Sequence, residues 1–138
     1  MTVTLQQVSE AIADALVNVG GSGLDVTPFP TEGATPPFAQ LEFVSWTPEA
    51  FTRGGVKRNT FNLRVFVAKT SRPQDAYFEL LEFMDSTSAK SIDLAVWDIE
   101  LDGVSIYVSE AGMLAAEEVD GVDNLGALFQ IEVAKKGA

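Results

Sequence analysis

The 138-residue chain contains no cysteine and no histidine. Without thiols it has no disulfide framework, no zinc–thiolate site and no thiol nucleophile. Without imidazole it lacks the commonest general base and the commonest transition-metal ligand. Basic residues are scarce too: 9 Lys and Arg stand against 20 Asp and Glu, for a net charge of -11. A surface with that balance repels phosphate backbones and anionic bilayers. No apolar run approaches the roughly 18 residues of a membrane-crossing helix. Residues Met1 to Gly20 carry Glu10 and Asp14 and no basic start, so they do not read as a secretory leader. Synthesis in a cytoplasm is the expectation.

What is present is core-forming material. Hydrophobic residues make up 46% of the chain, and a domain of this length buries roughly two-thirds of its unfolded surface. No repeat or linker divides it, so residues 1–138 are expected to form a single domain.

Leu5, Val8, Ile12, Leu16 and Val19 recur at helical spacing, with Thr4 and Gln7 placed as a capping box and Gly20-Gly21 as the stop. Leu24 to Thr27 reads as a short extended piece. Pro28 to Pro37, with its prolines and Gly33, reads as a loop. Phe38 to Trp46 is expected to be a strand with Ala39, Leu41 and Phe43 on one face, followed by a loop from Thr47 to Gly55. Val56 to Ala68 alternates clearly, with Phe61, Leu63, Val65 and Val67 inward. Ser71 and Pro73 open a helix whose apolar stripe reads as Tyr77, Leu80, Leu81 and Met84. A shorter helix with Ile92 and Val96 inward follows. The last third reads as a meander: Val104 to Val108, Met113 to Val119, a tight turn at Asp120-Gly121, and a strand with Leu125, Ala127, Phe129, Ile131 and Val133 inward. The expected class is α+β, a mostly antiparallel sheet with the N-terminal helix and the helix pair packed on one face.

Four constellations bear on chemistry. Asp98, Glu100, Asp102 and Gly103 imitate the start of a calcium loop, but its twelfth position is Ser109 instead of Glu, and the segment reads as an acidic turn into a strand. Glu117, Glu118, Asp120 and Asp123 crowd one hairpin, where a solvated end is the simpler reading. Gly20-Gly21-Ser22-Gly23 follows a helix and lacks a lysine, so it is not a phosphate loop. Arg53, Lys57 and Arg58 form the tightest basic cluster and suit contact with an acidic neighbour. Phe51, Phe66, Phe78 and Phe83 fall outside the expected core stripes and suit a protein interface. No metal, cofactor or catalytic residue is expected. The rival chemistry would be a carboxylate-based, metal-dependent enzyme built on Asp98, Asp102, Glu117 or Asp120; a cytosolic adaptor is a further alternative.

The pattern as a whole resembles the tail terminator proteins of long-tailed, non-contractile phages, especially those of actinobacterial hosts. The resemblance is carried by the N-terminal helix with its Gly23–Val26 exit and by Pro36-Pro37 before the second strand. Phe51 with Arg53-Gly54, the strand Thr60–Val67 and the helix start Ser71–Ala76 continue it. The stretch Val119–Val133, with Gly121 and Leu125-Gly126-Ala127, completes it. The longer exit loop and the few arginines depart from the family pattern. The resemblance implies a virion protein made in the host cytoplasm and placed at the tail neck. There it would form a homohexameric ring on the major tail-tube protein, end tube growth and present a surface to a head-completion protein. DNA would pass without specific binding. Another neck component, such as a stopper, is the nearest alternative. The expected interface residues are Phe51, Arg53, Lys57, Arg58, Arg64 and Phe66.

Overall fold

The computed structural model describes residues 3–30, 37–48, 57–68, 73–101, 103–114, 117–119 and 122–135. Helix α1 (Leu5–Leu16) begins as the sequence predicts. Gln7 N donates to Thr4 Oγ1 at 3.1 Å, and Thr4 N donates to Gln7 Oε1 at 2.8 Å. Two of the orphan donors of the first turn are thereby satisfied. The helix stops earlier than its glycines suggest. Asn18 adopts a left-handed conformation, its N–H donates to Leu24 O at 2.8 Å, and its Oδ1 accepts from Gly23 N at 2.7 Å. A short side chain that bonds its own backbone tolerates that conformation.

Strands β1 (Asp25–Thr27), β2 (Phe38–Pro48) and β3 (Lys57–Ala68) precede helices α2 (Pro73–Met84) and α3 (Ile92–Trp97). Strands β4 (Val104–Met113), β5 (Glu117–Val119) and β6 (Val122–Lys135) complete the chain. The sheet order is β1-β2-β3-β6-β4, with β5 also paired to β6. The class is α+β.

Two expectations about the sheet are corrected. The sheet is mixed, because β1 runs parallel to β2 with Val26 opposite Ala39. A parallel neighbour cannot be joined by a two-residue hairpin turn, and β1 and β2 are ten residues apart in the sequence, Thr27 to Phe38. The expected meander of three strands is instead one long, interrupted hairpin. β3 occupies one edge of β6, so β4 and β5 follow each other along the other, with Met113 opposite Ala127 and Glu117 opposite Asn124. Leu114 N donates to Gly126 O at 2.8 Å across the interruption. Asp120-Gly121 lies outside the described residues, and the flanking Val119 and Val122 pair.

Alternation decides what is buried. Ala39, Leu41, Phe61, Leu63, Val65, Val67, Ile106, Ala127, Phe129, Ile131 and Val133 join one core cluster. Val8, Ile12 and Leu16 of α1, Ala76, Leu80 and Phe83 of α2, and Ile92 and Val96 of α3 complete it. Each large side chain fully buried there contributes about 1.5–3 kcal/mol of transfer free energy. The stripe of α2 is rotated by about one residue from the expected one. Phe83 is fully buried, whereas Tyr77 and Leu81 are exposed. Phe83 is therefore a core residue and not a stray aromatic.

Candidate interaction surfaces

Every second residue of a strand points away from the core cluster, and on β3 the outward row includes Thr60, Asn62, Arg64 and Phe66. Arg64 is half-buried between Gln40 of β2 and Leu128 of β6. Phe66 occupies the outward parity that the alternation requires, yet it is only 4% exposed. Its ring packs on Phe38, the residue opposite it on β2, at a centroid distance of 5.1 Å. On its other side Gly126 leaves room for it, since a Cβ at Gly126 would come within 3.0 Å of the Phe66 ring. Phe66 is thus covered within its own chain, which corrects the view of it as an exposed aromatic.

Along the same outward face runs a polar line. Glu132 is 6% exposed and accepts from Thr60 Oγ1 at 3.0 Å and from Gln130 Nε2 at 3.2 Å. Ser109 Oγ donates to Gln130 O at 3.2 Å, tying β4 to the same line. A buried carboxylate is tolerable when its oxygens have donors, and these two are served from β3 and β6.

Arg58 and Lys57 of the basic cluster sit where β2 and β3 approach their shared end. Arg58 is exposed opposite Thr47, and Lys57 opens β3 opposite Pro48. Phe51 and Arg53 lie outside the described residues. Next to this end the structure exposes a patch that the sequence reading passed over. The β2–β3 register slips between Phe43 and Ser45, which is the signature of a bulge. Phe43, Val44 and Trp46 are exposed around it, Trp46 by 51%. β1 pairs only with Phe38 to Gln40. Beyond Gln40, therefore, the outer edge of β2 has no strand partner among the described residues. Natural edge strands are commonly guarded by charge; this one shows an apolar surface.

No protein-family model matches the chain, and no curated protein matches it. The assignment of a role therefore rests on the surfaces themselves and on the sequence resemblance.

A second apolar surface lies on α2, where Tyr77, Phe78 and Leu81 are exposed and the Tyr77 and Phe78 rings meet edge-to-face at 5.8 Å. Phe78 is the one expected stray aromatic that the structure exposes among those it describes. A cleft of about 640 Å³ follows α3, lined by Trp97, Asp98, Glu100, Leu101, Ser105 and Ile106 among others. Asp98 and Glu100 are exposed on it, and the described residues contain no group of three acids that could hold a metal ion. Asp102 and Asp120 lie outside the described residues. The chain turns into β4 through the Leu101–Val104 bridge, with Gly103 at φ 79°.

The patch at Phe43–Trp46 was visible in the sequence only as a strand with three bulky residues, Phe43, Val44 and Trp46, near its end. A period of two puts Trp46 on the face away from Leu41 and Phe43; the bulge instead sets it opposite Asn59, on the same face as Phe43. The exposed α2 face had a clearer signal: a Tyr-Phe pair followed by Leu81, with Asp75, Glu79 and Glu82 on the same helix and no base.

Proposed function

We propose that the chain is a structural virion protein, similar to tail terminators, which caps a phage tail tube as a ring. The observation that carries this reading is the apolar outer edge of β2, exposed beside the chain's tightest basic cluster. An open edge bearing Phe43, Val44 and Trp46 is costly for a protein that stays alone. It is useful to one that packs against copies of itself. Arg58, with Lys57 at the same end of β3, would meet the acidic surface of the neighbouring copy, where opposite charge guides register. In this reading the helices cover one face of the sheet and leave the polar face of Arg64, Gln130 and Glu132 to neighbours. The net charge of -11 suits a ring around passing DNA, since an acidic wall repels phosphates.

Head-to-tail contacts that repeat by rotation close into rings, and in this reading the β2 edge of one copy meets a different surface of the next. The major tail-tube protein and a head-completion protein would be the ring's other neighbours. The resemblance over Gly23–Val26, Thr60–Val67 and Val119–Val133 supports a tail-neck role; another neck component, such as a head-completion or stopper protein, is the nearest alternative.

The test uses interface variants. Trp46→Glu is expected to leave the monomer folded, with an unchanged circular dichroism spectrum, because the side chain is 51% exposed. It is expected to lower tube capping at least about tenfold, the scale of an interface anchor. Phe51→Asp and Arg53→Glu are expected to act in the same direction. Wild-type capping by all three variants would place the interface elsewhere.

A further inference from the structure

The exposed face of α2 is a separate surface on a different element from the β2 edge. Its centre is Phe78, 58% exposed. Asp75 lies one turn before Phe78 and Glu82 one turn after it, while Leu81 and Asp85 continue the same side toward the helix end. Phe78, Leu81, Glu82, Met84 and Asp85 line a shallow groove of about 430 Å³, wide enough for one bulky side chain. No Lys or Arg occurs within α2.

The charges on this groove are held in place. Asp85 accepts from Thr87 N at 2.9 Å and from Thr87 Oγ1 at 2.7 Å. These bonds, the backbone one first, hold its carboxyl below the ordinary carboxylate range. Lys90 reaches from outside the helix to place its Nζ 2.9 Å from Glu82 Oε2. The groove therefore already draws a cation from its own chain.

We infer that the α2 face docks a second, different protein through a basic segment that sets an apolar side chain between Phe78 and Leu81 and a lysine or arginine against Glu82 and Asp85. Charge complementarity selects this occupant. A copy of the same chain placed helix against helix would bring Asp75, Glu79, Glu82 and Asp85 against their equivalents, and like charges across an interface oppose association. A lipid surface is opposed for the same reason. An apolar centre with a mainly acidic rim, where Lys90 already pairs with Glu82, gives an interface both affinity and partner choice. The inference does not depend on the tail role, since it uses neither the β2 edge nor the sequence resemblance.

The probe is a synthetic amphipathic helix of leucine and lysine, titrated into the full-length protein and followed by amide chemical shifts. Shifts centred on residues 77–85 are expected, weakened by added salt. The double variant Phe78→Ser, Leu81→Ser keeps the net charge and alters only exposed positions. It is expected to bind the probe at least about tenfold more weakly, with unchanged circular dichroism. Equal affinity in that variant would reduce the effect to net charge and overturn the inference. Shifts centred on the Trp97 cleft would overturn it as well. Self-association of the parent protein that Phe78→Ser abolishes would make a second copy the occupant and refute the inference too.

Discussion

Gly20 is the residue whose role is most sharply defined. It has φ 58°, and a Cβ there would overlap the Ala89 carbonyl and the Lys90 nitrogen. The exit of α1 thus lies directly against the turn that leads into α3. Gly20→Ala combines a left-handed non-glycine backbone with a backbone clash. We expect a loss of about 2–4 kcal/mol of stability, read from a urea midpoint at unchanged slope. Gly21 has φ 76° but open space around it, so Gly21→Ala is expected to cost only the backbone term, about 1 kcal/mol. The pair separates crowding from conformation at adjacent positions. Phe66 poses the complementary question. Buried between Phe38 and Gly126, it should cost about 3–5 kcal/mol when changed to Ala. An exposed interface aromatic would leave monomer stability nearly unchanged.

At the scale of elements, the capping box of α1 is the most local device. Thr4→Ala removes the acceptor of Gln7 N and is expected to cost about 1 kcal/mol, seen as a lower thermal midpoint. This device was legible in the sequence because it depends only on residues three apart. The inward rows of β3 and β6 were legible for a similar reason, since period-two alternation is local. What escaped was set by distant partners. Both Ala76–Leu80–Phe83 and Tyr77–Leu80–Leu81–Met84 fit helical spacing on α2, and the sheet beneath, not the helix, chose the first. Phe66 read correctly as outward, but its cover is Phe38, a residue 28 positions earlier brought opposite by register. The parallel placement of β1 turns on a crossover whose route no local signal encodes. The place of Trp46, opposite Asn59 and on the same face as Phe43, depends on a bulge, a single register slip that reverses the face of every later side chain of β2. Of the six expected interface residues, Arg58 and Arg64 lie where a neighbour can reach them, Lys57 shares Arg58's end of the sheet, Phe66 is covered, and Phe51 and Arg53 lie outside the described residues.

At the scale of the whole molecule, an acidic chain whose described residues present an open apolar edge on β2 and an acidic aromatic face on α2 suits the proposed role in assembly. Both surfaces are apolar at the centre and charged around it, which suits partners that are chosen as well as held. The proposed role has a direct physical readout, because a cap that ends polymerisation sets the length of the polymer. Electron microscopy of tails assembled with and without this protein measures that length. The account predicts overlong tubes of scattered length in its absence, and a single length restored when it is supplied. Tubes of normal, uniform length without it would contradict the account.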